Sequence, residues 1–199
     1  MELFHSPGSC SIGIRVLLEE IGQPYTLHII DVKSGAQRSP DYLALNPKGK
    51  VPALVRPDGS LLTEFPAIAL WLARAYPAAG LLPEGLEAEV RAIELLDYIV
   101  ASLHMRGATF ALVPQKFVAD PAAQAELATH GRAVLAAGYA ALSERLMAGD
   151  YVMGAFSIAD AAAFYLIGWH ERAGLSLDPV LTAYMARMRA RPAIQRALT

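Results

Sequence analysis

The hydrophobic pattern of this 199-residue chain changes between residues 77 and 85, and this change constrains the fold more than any other feature. Before it, short alternating apolar runs are mixed with apolar residues at helical spacing, whereas only helical spacing follows it. The segment itself is rich in Pro, Ala and Gly, which is typical of a boundary between domains. We therefore predict two domains, over 1–77 and 86–199, joined by a linker over 78–85.

The first domain is predicted to contain both strands and helices. Its order is strand–helix–strand followed by strand–strand–helix, an α/β arrangement written βαβ-ββα. The hairpin signal Asp58-Gly59 separates the last two strands, and Pro66 is placed to be the first residue of the last helix. The predicted elements are a strand over 1–4, a helix over 11–21, a strand over 25–30, a helical turn over 41–45, strands over 51–55 and 61–62, and a helix from Pro66 to Tyr76.

The second domain is predicted to be all-helical, because apolar residues recur in it at helical spacing and strand alternation is absent. The predicted fold class is therefore α/β followed by all-α. The two longest stripes are traced by Leu86, Val90, Ile93, Leu96 or Asp97, Val100 and Leu103, and by Leu127, Val134, Leu135, Leu142 and Leu146.

Composition and charge exclude several classes of protein. Although 54% of the residues are hydrophobic, no apolar run approaches the ~18 residues of a membrane span. Seventeen basic and 19 acidic residues give a net charge of -2, which does not favour nucleic acid or an anionic membrane as the partner. The N-terminus has no pattern of a secretory signal, and a single cysteine forms no internal disulfide, so we expect a cytoplasmic protein.

The motifs of common metal and nucleotide sites are also missing. The sequence contains no HExxH, CxxC, GxxxxGK[ST] or GxGxxG pattern, so we expect no metal and no dinucleotide.

The only cysteine, Cys10, lies where the first strand gives way to the first helix. Backbone N–H groups without intrahelical partners and the positive end of the helix dipole stabilise a thiolate at such a position. The stabilised thiolate is either that of Cys10 itself or that of a thiol docked there. The alternative is a small buried hydrophobe without a chemical role.

Three other motifs have both a functional and a structural interpretation. A cis bond at Val51-Pro52 would turn a strand edge outward for a peptide, although a trans proline at the start of a strand is the commoner case. Glu64, just before a helix, forms with the helix N–H donors a socket for the two charged ends of an amino acid, or merely interacts with the helix dipole. Ser157 and Asp160 form a capping-box pattern, which we interpret as structural.

Four sequence blocks together resemble the cytosolic glutathione S-transferases, and most closely the bacterial beta class. The resemblance spans nearly the whole chain and implies a thioredoxin-like N-terminal domain, a helical C-terminal domain, glutathione as co-substrate in the cleft between them, and a homodimer. The blocks are Ser6-Pro7-Gly8-Ser9-Cys10-Ser11, Asn46-Pro47-Lys48-Gly49-Lys50-Val51-Pro52-Ala53-Leu54, Leu62-Thr63-Glu64 and Phe156-Ser157-Ile158-Ala159-Asp160.

The resemblance also implies a role for particular residues. Val51 binds the cysteinyl part of glutathione through its backbone, Pro52 is cis, and Glu64 holds the γ-glutamyl ammonium. Cys10 faces the glutathione sulfur and is able to form a mixed disulfide with it, while His104 approaches from the helical domain. The remaining candidates are Ser9 and Ser11 as donors to the thiol, Lys33 and Lys50 for the glycyl carboxylate, and Ala108, Phe110 and Ala111 beside His104 for a hydrophobic electrophile.

Two positions depart from the family pattern. Phe65 stands where most members have a serine or another small residue, so a hydroxyl contact to the γ-glutamyl carboxylate is lost and only the backbone N–H remains. After His104, Met105 and Arg106 replace the usual lysine, which moves the local cation to Arg106. We expect weaker glutathione binding without its loss.

The predicted function is a glutathione transferase that activates the thiol of glutathione for attack on a small hydrophobic electrophile, as in detoxification. A second hypothesis is thiol–disulfide exchange or reductive dehalogenation through Cys10. A third is a binding or stress-regulatory protein that keeps the fold without turnover, which the departure at Phe65 motivates.

Overall fold

A computed structural model describes the whole chain, Met1–Thr199, and its residues group into two units. The first unit consists of Met1–Leu82 together with Arg191–Thr199, and the second of Pro83–Ala190. The boundary at Leu82 lies inside the predicted linker. The end of the chain differs from the predicted helical domain over 86–199, because Arg191–Thr199 groups with the first unit.

The first unit is built on a four-stranded sheet. Its strands are β1 (Glu2–His5), β2 (Thr26–Ile29), β3 (Ala53–Val55) and β4 (Leu61–Thr63). They lie in the order β2-β1-β3-β4, with β1 and β2 parallel and the other two pairs antiparallel. Three helices accompany the sheet: α1 (Ser11–Ile21), α2 (Pro40–Leu45) and α3 (Phe65–Ala75). The βαβ-ββα order predicted from the sequence is confirmed.

Local sequence explains where these helices begin and end. Gly22 ends α1 in the left-handed conformation at φ 71°, and its N–H bonds to the carbonyl of Leu18, as a glycine cap does. The Ser39 side chain caps α2 by accepting from the N–H of Tyr42. The helix α3 begins at Phe65, one residue before the predicted start at Pro66.

The last helix of the chain joins the first unit through two arginines. Arg191 forms a two-pronged ion pair with Glu20 of α1, with nitrogen–oxygen distances of 2.7 and 3.0 Å. Arg196 donates to the Glu19 carboxylate at 2.8 Å. Two ion pairs, each between an arginine near the end of the chain and a glutamate of α1, thus hold the terminal helix (Pro192–Leu198) against α1.

The second unit is helical, as predicted, apart from an isolated bridge between Met153 and Ala155. Its longest helix runs Pro121–Leu146, and Ile158–Ile167 is buried along its whole length. These two helices are α6 and α7. In chain order they are preceded by α4 (Leu86–Asp97), a π-helical segment (Tyr98–Ala108) and α5 (Thr109–Leu112). They are followed by α8 (Pro179–Ala190) and by α9 (Pro192–Leu198), the terminal helix. None of the helices combines the length and apolar character needed to cross a membrane.

The predicted stripe on α4 is only partly buried. Ala92, Leu95 and Leu96 lie in the core, whereas Leu86 and Val90 are 79% and 48% exposed. Of the other residues in the predicted stripe, Leu96 and Leu103 are buried, whereas Ile93 and Val100 are partly buried. Helical spacing therefore indicates the buried face approximately, but does not show where along the helix that face meets a partner.

Glycines bring the π-helical segment against α6. A Cβ atom on Gly131 would lie 2.6 Å from the carbonyl oxygen of Gly107, and one on Gly138 would overlap the side chain of Leu103. These contacts leave no room for a side chain, so the backbones of the two elements touch at Gly131 and Gly107, and the Leu103 side chain packs on the backbone of Gly138. The close packing fixes the segment that carries His104.

Candidate active site

Three of the predicted site segments meet at one end of the sheet in the first unit. Phe4 and Thr63 both pair with Ala53, the first residue of β3. The end of β1, the start of β3 and the end of β4 are therefore neighbours, and the loops beyond them lie side by side. These loops carry Ser9–Ser11, Lys48–Pro52 and Glu64–Phe65.

Cys10 is the residue just before α1 and lies beside the second of these loops. Its Sγ atom donates a weak hydrogen bond to the carbonyl oxygen of Val51 at 3.8 Å. Although part of the side chain is exposed, loss of solvation raises the pKa of the Cys10 thiol to about 12, and the nearby Glu64 carboxylate acts in the same direction. The positive charge of Lys50 opposes this shift.

The sequence left open whether the helix start stabilises the thiolate of Cys10 itself or that of a thiol docked there, and the raised pKa of Cys10 favours the docked thiol. The position does not lower the pKa of Cys10 itself, because desolvation outweighs the favourable backbone groups. Loss of solvation thus favours the protonated form of the Cys10 thiol in the protein without ligand.

A chain of side-chain hydrogen bonds lies beneath Cys10. Ser11 Oγ lies 2.6 Å from Ser9 Oγ and 2.7 Å from Nδ1 of His5. It also accepts from the N–H of Ser6 at 3.1 Å, while Ser9 Oγ lies 2.8 Å from the carbonyl oxygen of Ser6, to which it can donate. His5, Ser6 and Ser11 are buried, so these bonds fix the backbone on both sides of the turn.

His5 is held neutral in this chain. Burial lowers the pKa of His5 to about 4, and the positive charge of Arg15 adds to the effect. The imidazole therefore serves as an uncharged partner of Ser11 at physiological pH. Nothing in the position of His5 along the sequence indicates its contact with Ser11, six residues further on.

The Val51–Pro52 bond is cis, as the resemblance implied. The loop before it is held by the carbonyl of Lys50, which accepts from the Tyr42 hydroxyl at 2.7 Å and from the Asn46 side-chain amide at 2.8 Å. Gly49 has φ 58°, and a Cβ there would lie 3.0 Å from the backbone oxygen of Gln37. The loop that presents Val51 is thus fixed from within.

Glu64 precedes α3 with φ 70°, the only positive φ at a residue other than glycine. Its carboxylate is exposed and accepts from Nζ of Lys48 at 2.8 Å. Lys48 Nζ also donates to the Thr63 hydroxyl at 2.9 Å. The Phe65 side chain is buried, with 4% exposure. Lys48 was quoted in a sequence block but was not among the predicted site residues.

The two lysines predicted for the glycyl carboxylate have exposed side chains. Lys33 lies in the loop after β2, where its N–H donates to Asp31 at 2.9 Å. Lys50 lies directly before Val51 and is close enough to Cys10 to influence its pKa. Lys33 follows β2 and Lys50 precedes β3, so both lie beyond the end of the sheet at which β1 leads into the Cys10 turn.

The remaining predicted residues belong to the second unit. His104 lies in the π-helical segment, where its Nδ1 is 3.2 Å from the Tyr165 hydroxyl and its ring is 5.0 Å from that of Trp169. Arg106 is exposed and Ala108 is buried. Phe110 and Ala111 are partly buried in α5, and the ring of Phe110 packs edge-on against Phe117 at 5.0 Å.

Family models match both units. A model described as the N-terminal domain of glutathione S-transferases matches residues 8–75, and one described as their C-terminal domain matches residues 100–192.

Curated relatives and solved structures agree with these matches. The glutathione S-transferase GstA of Escherichia coli O157:H7 is 36% identical over 100% of this chain and 98% of its own length. A sphingomonad glutathione S-transferase complexed with glutathione is 34% identical with a TM-score of 0.86, covering 100% of this chain and 97% of that one. A beta-class enzyme from Sphingomonas chungbukensis is 32% identical with a TM-score of 0.86, covering 100% and 97%.

Proposed function

Because this chain belongs to the glutathione S-transferase family and is a glutathione transferase, we propose that it activates the thiol of glutathione for attack on a small hydrophobic electrophile. The thiol releases its proton to solvent, and the resulting thiolate forms a carbon–sulfur bond with the electrophile. At the same carbon atom, a leaving group departs with its electron pair or an activated double bond opens and takes up a proton from solvent. The cysteinyl part of glutathione lies against the backbone of Val51 beside cis-Pro52, and the γ-glutamyl ammonium lies at Glu64.

The observation that carries this proposal is the contact between Cys10 Sγ and the carbonyl oxygen of Val51 at 3.8 Å. A cysteinyl residue bound to the Val51 backbone has its own sulfur close to that of Cys10. Because the pKa of Cys10 is raised to about 12, Cys10 keeps its proton and donates a hydrogen bond to the glutathione thiolate. Donation to the charged form lowers the pKa of the bound thiol.

The other site residues have supporting roles in this proposal. Ser11 and Ser9 hold the turn that presents Cys10, and Lys33 and Lys50 supply positive charge for the glycyl carboxylate. The predictions that His104 and Arg106 act on glutathione, and that Ala108, Phe110 and Ala111 contact the electrophile, rest on the resemblance. So do a cytoplasmic homodimer and a role in detoxification.

Thiol–disulfide exchange through Cys10 is the competing function, and the high pKa of Cys10 argues against it. Exchange and reductive dehalogenation both need Cys10 as a thiolate, which is scarce at neutral pH for a thiol with a pKa of about 12.

A pH titration of bound glutathione tests the proposal. Thiolate absorbance is followed in the wild-type protein and in Cys10→Ala, which removes the protein's own thiol. We expect the bound thiol to ionise below the pKa of free glutathione in both proteins, and at a somewhat higher pH in the variant, which lacks one donor.

Other outcomes separate the hypotheses. A bound thiol with the pKa of free glutathione in both proteins contradicts activation. Turnover of a disulfide or halide substrate that disappears in Cys10→Ala supports exchange. Tight glutathione binding without turnover on a panel of electrophiles supports a binding protein.

A further inference from the structure

Lys48 forms an ion pair with the residue assigned to the γ-glutamyl ammonium. Its Nζ atom lies 2.8 Å from Glu64 Oε1 and 2.9 Å from Thr63 Oγ1. Both charged side chains are about half exposed, at 53% and 59%. One cation and one anion thus lie together at the start of α3, and both are accessible from solvent.

The γ-glutamyl end of glutathione carries the complementary pair of charges on a single carbon atom, an ammonium and a carboxylate. Glu64 matches the ammonium but repels the carboxylate. The family pattern places a serine or another small residue after the glutamate, whereas here Phe65 is buried and its side chain has no polar atom. The carboxylate keeps the backbone N–H of Phe65 as a donor but lacks the hydroxyl of a serine, and the Lys48 ammonium is the cation next to Glu64.

We propose that Lys48 binds the γ-glutamyl carboxylate of glutathione and compensates for the hydroxyl that is missing at Phe65. This inference rests on the proposed function, because it takes glutathione to bind at Glu64. On binding, Lys48 turns from Glu64 to the ligand carboxylate while Glu64 receives the ammonium. One ion pair is replaced by two, so the site selects a ligand that carries both charges.

The position of Lys48 is set by its surroundings. Its backbone N–H donates to the Asn46 side-chain oxygen at 3.2 Å, and the N–H of Gly49 bonds to the Asn46 carbonyl at 2.9 Å. Asn46 also donates to the carbonyl of Lys50 at 2.8 Å. The same buried side chain thus holds Lys48 and the backbone of the Val51 loop, so the γ-glutamyl and cysteinyl contacts share one support.

Binding of three ligands to Lys48→Met tests the proposal. The ligands are glutathione, 4-aminobutanoyl-cysteinylglycine, which lacks only the γ-glutamyl carboxylate, and glutaryl-cysteinylglycine, which lacks only the ammonium. Calorimetric titration measures binding without turnover. Methionine keeps the length of the side chain and removes its charge.

We expect Lys48→Met to weaken glutathione and glutaryl-cysteinylglycine about fivefold, the scale of a solvent-accessible ion pair. Binding of 4-aminobutanoyl-cysteinylglycine stays unchanged or improves, because Glu64 no longer has an internal partner. Lys48→Arg keeps the preference for the carboxylate. The exposed Lys116→Met serves as a matched control for the loss of one positive charge, and changes none of the three affinities.

Glu64→Gln provides the reciprocal measurement. It should weaken glutathione and 4-aminobutanoyl-cysteinylglycine while sparing glutaryl-cysteinylglycine. If this pattern appears but Lys48→Met weakens all three ligands equally, or tightens glutathione, Lys48 is not the carboxylate partner although the proposed function stands. If the wild-type protein binds no glutathione, both proposals are wrong.

Discussion

The starts of α1 and α7 are two serine-containing turns that the chain uses in opposite ways. At α7, both carboxylate oxygens of buried Asp160 are engaged: Oδ2 with the N–H and hydroxyl of Ser157, and Oδ1 with the N–H of Val152 and the Tyr184 hydroxyl. At α1, the side chain before the helix is Cys10, which makes no capping hydrogen bond.

The difference lies in where the polar groups direct their hydrogen bonds. The polar groups of the α7 turn all form hydrogen bonds with one another or with neighbouring residues of the same unit, so the turn contributes to stability. At α1 the hydroxyls of Ser9 and Ser11 bond to each other, and that of Ser11 bonds to His5 beneath the turn, whereas the Cys10 thiol lies against the Val51 loop. We infer that a helix start is available as a functional site when the hydrogen bonds that support its backbone lie beneath the first helical turn.

The largest effect is expected for Asp160→Ala. The substitution leaves the N–H groups of Val152 and Ser157 without an acceptor inside the protein, at about 1–3 kcal/mol for each buried group. It leaves the Tyr184 hydroxyl only its longer contact with the backbone carbonyl oxygen of residue 160, at 3.5 Å. We expect the free energy of unfolding to fall by about 4 kcal/mol or more, as urea denaturation would measure.

Ser157→Ala is the matched control for this prediction. It removes the hydroxyl of the cap but leaves the Asp160 carboxylate in place, and should cost about 1 kcal/mol. Equal losses for the two variants would show that the cap, and not the buried carboxylate, stabilises the start of α7.

The next effect is a pH dependence of stability that originates from His5. Its pKa is about 4 in the folded protein against 6.5 for an ordinary histidine. Between these values the unfolded chain binds a proton that the folded protein does not, so stability is lost as the pH falls. The loss is about 3 kcal/mol from pH 7 to 4. His5→Gln should not show it.

The quantity to measure is therefore the difference in unfolding free energy between wild type and His5→Gln at several pH values. Burial raises the pKa of Asp160 to about 6, which acts in the opposite direction as the pH falls, but this contribution is present in both proteins and cancels. Substitution of the exposed His130 shows what loss of a histidine does elsewhere. A pH-independent difference for His5→Gln would mean that the pKa of His5 is the same in the folded and the unfolded protein.

The sequence predicted the α7 turn more completely than the α1 turn. Ser157 and Asp160 lie three residues apart and bond to each other, so local spacing contains the whole capping box. The order of strands and helices was predictable for the same reason, because periodicity and turn residues are local signals. The cis bond at Pro52 followed only from the resemblance, since its local sequence favoured trans.

Contacts between distant segments were the part that the sequence did not predict. Lys48 meets Glu64 because β3 and β4 bring their loops together, and His5 meets Ser11 across a turn. The terminal helix joins α1 through Arg191 and Glu20, which are far apart along the chain. Nor does spacing report desolvation, which raises the pKa of Cys10 although the residue stands at a helix start.

The smallest effect on the free energy of unfolding is expected for substitutions of Cys10, and these substitutions compare the α1 start with the α7 start most directly. A serine before a helix normally stabilises it by about 1 kcal/mol when its backbone is extended, because its oxygen then reaches an N–H of the first turn. Cys10 instead has φ -60° and ψ -22°, a helical conformation, from which the side chain does not reach those donors.

Cys10→Ser should therefore be no more stable than Cys10→Ala, both within about 1 kcal/mol of wild type, since the thiol makes one weak hydrogen bond. Urea denaturation of the three proteins measures this directly. A serine variant clearly more stable than the alanine variant would show that the α1 turn is able to cap its helix as α7 does, and the distinction between the two helix starts would then lie in the cysteine alone.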